Sequence, residues 1–108
     1  MLDGATGQEL LQKFPSKGIV ALAWGENGFR HMTNSKRPLN TVEDIDGLKL
    51  RVIPNPINVD WVKALGANPT PLPFAEVYGA LEQKAIDGQE NPIAVIAANK
   101  FWEVQKYV

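Results

Sequence analysis

Gly47-Leu48-Lys49-Leu50-Arg51-Val52-Ile53-Pro54 reads as one buried strand with a single cation near its end. By the two-residue period of a strand, Leu48, Leu50 and Val52 share one face, and Lys49, Arg51 and Ile53 share the other. Asp46-Gly47 supplies a turn before the strand, and Pro54 with Pro56 stops it. In an open α/β sheet, ligands lie beyond the carboxyl ends of the strands. Arg51 is the charged residue nearest that end. Its planar guanidinium suits a carboxylate or phosphate through two parallel hydrogen bonds. The same residue also reads as an ordinary surface arginine near an edge, and the strand by itself does not choose.

Working outward, Thr6 and Glu9 make a capping box for a short helix with Leu10, Leu11 and Phe14 on its apolar side, ended by Pro15. Ile19–Trp24 is a near-continuous apolar run, expected as a buried strand. Phe29–Thr33 alternates as a second strand, and Thr41 with Asp44 caps one helical turn. After the central strand, Ile57, Trp61, Val62 and Leu65 predict a helix with Gly66 as its C-cap. Asn68–Phe74 carries three prolines and must be extended. Phe74, Val77, Tyr78, Leu81 and Ala85 form another helical stripe. Ile86-Asp87-Gly88 is a brief strand or turn, and Asn91-Pro92 reads as a helix start, asparagine capping and proline at the first position. Phe101, Val104 and Tyr107 close the chain. Such alternation argues a layered α/β domain with a partly parallel sheet.

The 108 residues make one domain at most, able to bury roughly 65% of the unfolded surface. Eleven basic and twelve acidic residues leave a formal net charge of -1 with no basic block, which argues against nucleic acid or anionic membrane as partners. There is no cysteine, so disulfides and thiolate chemistry are excluded. No apolar run reaches membrane-spanning length, and Met1-Leu2-Asp3 lacks the features of a signal peptide. A beginning just ahead of a helix and an ending on a strand-like Gln105–Val108 suggest a piece of a larger protein. His31 is the only histidine, Ser16 and Ser35 stand outside any nucleophile-elbow pattern, and no glycine-rich nucleotide fingerprint occurs. Glu76, Asp87 and Glu90 are the carboxylates available for acid–base work. What converges instead is a set of donors for an anion: Arg51 on one strand, Arg30 on another, and Asn91 at an expected helix N-terminus. Each also has a plainer reading, Arg30 as a solvated strand residue and Asn91 as a cap. Phe74 is either core or a pocket wall.

Several blocks together resemble one family. They are Glu26-Asn27-Gly28-Phe29-Arg30, Thr33-Asn34-Ser35-Lys36-Arg37-Pro38, Glu43-Asp44 with Gly47–Arg51, and Leu65–Pro71. Phe74-Ala75-Glu76-Val77-Tyr78, Asp87–Pro92 and Phe101–Tyr107 continue the match. The chain resembles the substrate-binding proteins of tripartite ATP-independent periplasmic (TRAP) transporters, of the dicarboxylate-binding type. The resemblance implies one α/β lobe of a two-lobed periplasmic solute-binding fold, a mixed sheet flanked by helices. It implies that residues 1–27 hold a helix and an inter-lobe crossing strand, 28–103 most of the second lobe, and 104–108 the start of a strand returning to the other lobe. It implies that Arg51 pairs with the ligand carboxylate while Arg30, Asn91 and Phe74 line the pocket. Periplasmic location, a small carboxylate ligand, TRAP membrane subunits as partners and no cofactor follow from the same resemblance. Two rival expectations are a small α/β hydrolase or lyase using Glu76, Asp87 or Glu90, and a self-associating structural domain.

Overall fold

In the computed structural model, which describes residues 2–108, the elements are α1 (Ala5–Leu11), β1 (Arg30–Asn34), β2 (Lys49–Val52), α2 (Pro56–Ala64), β3 (Asn68–Pro71), α3 (Val77–Glu82), β4 (Gly88–Pro92) and α4 (Ile93–Ala98). Short 3₁₀ turns lie at Pro15–Lys17, Val42–Ile45, Phe74–Glu76 and Phe101–Glu103. The strands form one mixed sheet in the order β1-β4-β2-β3. β1 runs antiparallel to β4, while β2 is parallel to both β4 and β3.

The alternation along β2 sorts the core into two layers. Leu48, Leu50 and Val52 are fully buried with Val62 of α2 and Ile45. The opposite face is covered by Val77 and Leu81 of α3, Ile96 of α4, Ile86 and Phe101. α2 begins as its sequence dictates: the Asn55 side chain accepts from the Ile57 amide at 2.9 Å, and Pro56 takes the first turn. It ends at Gly66, whose φ of +92° is the left-handed conformation that a C-cap glycine supplies. Ile57, expected on the apolar stripe, is 74% exposed because the stripe that meets the sheet is centred on Val62. The Thr41–Asp44 turn forms as read, the Asp44 carboxylate accepting from the amides of Asn40 and Thr41 at 2.9 and 3.0 Å. These bonds hold the Asp44 carboxyl below its ordinary range.

Three expectations are corrected. Asn91 and Pro92 do not start a helix; they end β4, every residue of which is buried, and α4 begins at Ile93 with no side-chain cap. Hydrogen bonding to neighbours on both edges overrides the poor strand propensity of Gly-Gln-Glu-Asn-Pro. Thr6 and Glu9 form no capping box, because the helix starts two residues earlier and Gly4 occupies the cap without a side-chain bond. Ile19–Trp24 is not a buried strand. No described strand pairs with it, and Ile19, Val20 and Leu22 stand 57, 75 and 91% exposed. Trp24 ties this stretch back to α1, its indole Nε1 donating to the Gly7 carbonyl at 3.2 Å. The resulting shape is elongated, with a Cα radius of gyration of 16.3 Å against about 13 Å for a compact chain of this size. At the other end, Tyr107 bridges antiparallel to Asn34 through backbone bonds of 3.0 and 2.9 Å, so the last segment lies along the free edge of β1.

Candidate functional site: an arginine fork at the switch point of the sheet

The chain leaves β2 for α2 on one face of the sheet and leaves the adjacent, parallel β4 for α4 on the other. Where neighbouring strands send their connections to opposite faces, a crevice opens beyond their carboxyl ends, and ligands bind there. Arg51 and Asn91 sit at the ends of these two strands. Arg30 begins β1, which is antiparallel to β4, so it arrives at the same end opposite Pro92. The sheet therefore brings together three residues separated by up to 61 positions.

Arg51 pairs in register with Gln89 of β4 and Thr70 of β3, and is 3% exposed. Its Nε donates to the Leu72 carbonyl oxygen at 2.9 Å, and its Cζ lies 5.8 Å from the centre of the Phe74 ring. Phe74 is itself held by Phe101, ring centres 6.1 Å apart at 59°. It is 43% exposed, half core and half wall. The carbonyl and the ring fix the plane of the guanidinium. Its two terminal NH2 groups have no protein acceptor among the described residues. Burial lowers the pKa of Arg51, with Glu90 opposing and Arg30 adding to the shift. An arginine remains charged regardless, so this is a largely buried cation whose terminal NH2 groups reach solvent and have no protein acceptor.

The nearby carboxylate is already taken. Glu90, 1% exposed, forms a two-point ion pair with Arg30 through Nε and Nη2, and Nη2 also donates to the Glu90 carbonyl at 3.0 Å. This hydrogen bond raises the pKa of Arg30. Arg30 Nη2 reaches Asn91 Oδ1 at 3.4 Å, and Asn91 Nδ2 donates to Gln89 Oε1. Arg30 thus takes up the Glu90 carboxylate, and the terminal NH2 groups of Arg51 are left without an anion of their own. The sequence missed Glu90 as the partner of Arg30 and Gln89 as the support of Asn91. The signal lay in the strict alternation of Gln89 and Asn91 against Glu90, once these residues are read as a strand.

The three carboxylates considered for acid–base work are not gathered into a site. Asp87 accepts from the Lys49 amide at 2.9 Å and pairs with Lys36 at 3.3 Å. Glu76 is exposed on a 3₁₀ turn, and Glu90 is held by Arg30. No group of carboxylates and histidine among the described residues has metal-binding geometry.

The ion pair is lopsided, the Arg30 side chain being 38% exposed and that of Glu90 2%. Arg30→Met strands a buried carboxylate and should cost about 3 kcal/mol, the low end for breaking a buried pair. Glu90→Gln leaves a cation that can turn to water and should cost about 1 kcal/mol. Urea denaturation at pH 7 checks the order; equal losses would mean that the pair is not buried as described.

Residues 1–108 match the family described as bacterial extracellular solute-binding protein, family 7. A solute-binding protein of Verminephrobacter eiseniae is 52% identical over 108 residues, covering 100% of this chain and 32% of the relative. The 2,3-diketo-L-gulonate-binding periplasmic protein YiaO of Escherichia coli is 49% identical over 107 residues, 99% of this chain and 33% of the relative. Among solved structures, the sugar acid binding protein DctPAm of Advenella mimigardefordensis in complex with galactonate superposes with a TM-score of 0.95 at 50% identity, covering 98% of this chain and 34% of that one. A TRAP periplasmic solute binding protein of Polaromonas sp. JS666 bound to D-erythronate gives 0.94 at 54% identity, covering 97% and 35%. The chain spans about a third of the length of these relatives, and its mixed sheet flanked by helices is one lobe of their fold. It belongs to the bacterial extracellular solute-binding proteins of family 7.

Proposed function

We propose that this lobe is the carboxylate-anchoring part of a periplasmic receptor that captures a small organic acid and delivers it to the membrane subunits of a TRAP transporter. The observation that carries this is Arg51: a buried guanidinium, clamped at Nε by Leu72 and faced by Phe74, with its terminal NH2 groups unengaged. A ligand carboxylate meets that fork with two charge-assisted bonds. Arg30 and Asn91 border the same crevice, and Phe74 walls it. Relatives solved with galactonate, D-erythronate and succinate support this class of ligand, since all three are carboxylates. In the receptor, residues 28–103 would form most of this lobe. Residues 1–27 and 104–108 would cross to the other, which closes over the acid and supplies the remaining contacts.

Arg51→Lys keeps the charge and loses the planar fork, so affinity should fall by roughly 1–3 kcal/mol. Galactonate is the ligand of the relative at TM-score 0.95, and its D form is a suitable probe. Titration of the labelled chain followed by NMR reads the ratio even where binding is weak, and equal affinities would remove Arg51 as the anchor.

A second behaviour is favoured by the exposed apolar surface of Ile19, Val20, Leu22 and Phe29. We propose that this chain, taken alone, self-associates through that stretch or through the open sheet edges. Light scattering during size-exclusion chromatography should give a mass above that of one chain, rising with concentration. A single-chain mass at high concentration would rule it out.

A further inference from the structure

A chain of side-chain hydrogen bonds runs from Asn91 into the lobe, and both of its ends dictate its direction. At the inner end, Gln105 Nε2 lies 3.1 Å from the Val104 carbonyl oxygen and 3.3 Å from that of Asp87. Carbonyls only accept, so the nitrogen of this amide must face them and Oε1 must point the other way. Thr33 Oγ1, 2.8 Å from that oxygen, therefore spends its one proton on it. The lone pairs left on the hydroxyl accept from Gln89 Nε2 at 2.9 Å. This turns Gln89 Oε1 toward Asn91, whose Nδ2 donates to it. Asn91 Oδ1 is left facing Arg30 Nη2. Arginine only donates, so the outer end demands the same orientation as the inner one. Thr33 and Gln89 are both 0% exposed, Gln105 8%, and no solvent can exchange for a missing link.

We propose that Gln89, Thr33 and Gln105 are positioning residues for ligand recognition, and that the Thr33 hydroxyl secures from the inner end the Asn91 orientation that Arg30 demands at the outer one. The proposal rests on Asn91 bordering the ligand site. With the chain intact, Asn91 gives its oxygen to Arg30 and retains one Nδ2 hydrogen for an oxygen of an acidic ligand. Reversed, it sets an NH2 group against a guanidinium and offers a lone pair to an anion, unfavourable on both counts. The geometry also links the crevice to residues 104–108, because the Gln105 amide is anchored on that segment and on Ser35 Oγ at 2.9 Å.

Thr33→Val preserves shape and strand propensity but removes the hydroxyl, stranding Gln89 Nε2 and Gln105 Oε1. Gln89 keeps its bond from Asn91 through Oε1, but with Nε2 stranded the Gln89 and Asn91 amides are no longer held from the inner end. Thr33→Ser keeps the hydroxyl and loses a methyl group. Both a structural and a positioning role make valine the costlier change for stability, because it leaves two buried polar groups unpaired, so the readout is the amide resonances and the affinity rather than stability. The test is the side-chain amide NMR spectrum of the ¹⁵N-labelled chain, first alone and then with D-galactonate. Expected in the free chain is that Thr33→Ser leaves the Asn91 and Gln89 amide resonances in place and Thr33→Val displaces both. With D-galactonate, Thr33→Val should bind about tenfold more weakly and Thr33→Ser within about threefold of the parent. Unmoved resonances in Thr33→Val, or a serine variant that behaves like it, overturn the proposal. If Thr33→Val does not fold, Gln105→Leu removes the acceptor of the Thr33 proton, freeing the hydroxyl to donate to Gln89 instead of accepting from it, and the Gln89 and Asn91 amide resonances must then move, failing which the proposal is wrong. Resonances that move as stated while the parent ignores D-galactonate would uphold the positioning and refute the ligand class.

Discussion

Burying Gly88-Gln89-Glu90-Asn91-Pro92 as an inner strand of the sheet is the constraint from which the site follows. A polar group taken out of water costs free energy unless it is hydrogen-bonded, and a charge costs far more. Each side chain of β4 is accordingly matched: Gln89 to Thr33, Asn91 to Gln89, Glu90 to Arg30. Meeting the demand of Glu90 uses up the nearby carboxylate. Arg51, in register with Gln89 on the next strand, is then left buried with only the Leu72 carbonyl and the Phe74 ring for company. The incompleteness of the arginine is a consequence of the completeness of β4, and it is the feature on which the proposed capture of an acid rests.

Topology places this imbalance where a ligand can reach it. β2 and β4 are parallel neighbours whose connections depart to opposite faces, the arrangement in which ligands bind beyond the carboxyl ends of the strands. An arginine at the opposite end of β2 would meet the Lys49–Asp87 region, where Asp87 and Lys36 already satisfy one another. Position along the strand, rather than residue type alone, separates Arg51 from the chain's other cations.

Legibility in the sequence tracked how local the determining physics was. β2 and α2 announce themselves, because the alternation of Leu48, Leu50 and Val52, the Asn55-Pro56 start and the Gly66 stop are properties of neighbouring residues. Arg51 was legible for the same reason, as the cation near the end of an obvious strand. β4 was not: its residues have turn and cap propensities, and only pairing with β1 and β2, more than thirty positions away, makes them a strand. The Asn91-Pro92 cap was misread on that account, and the hydrogen-bond chain beneath it was invisible. Ile19–Trp24 failed in the opposite direction. Its apolar run has strand propensity, but no described strand offers it a ladder, and propensity without a partner gives only an exposed, extended segment. Arg30 and Asn91 were legible as candidate donors and Phe74 as core or pocket wall, and the resemblance to known receptors then assigned all three to a pocket. The geometry brings them to the end of the sheet where Arg51 lies.

The central claim is that the terminal NH2 groups of Arg51 hold a carboxylate. It is tested most directly by following the Arg51 guanidinium resonances of the ¹⁵N-labelled chain during titration with D-galactonate and, separately, with its uncharged methyl ester. A two-point carboxylate bond should shift the Arg51 Nη signals and slow rotation of the fork with the acid, and do neither with the ester. The same response to acid and ester, or galactonate binding that leaves the Arg51 signals untouched, would contradict it.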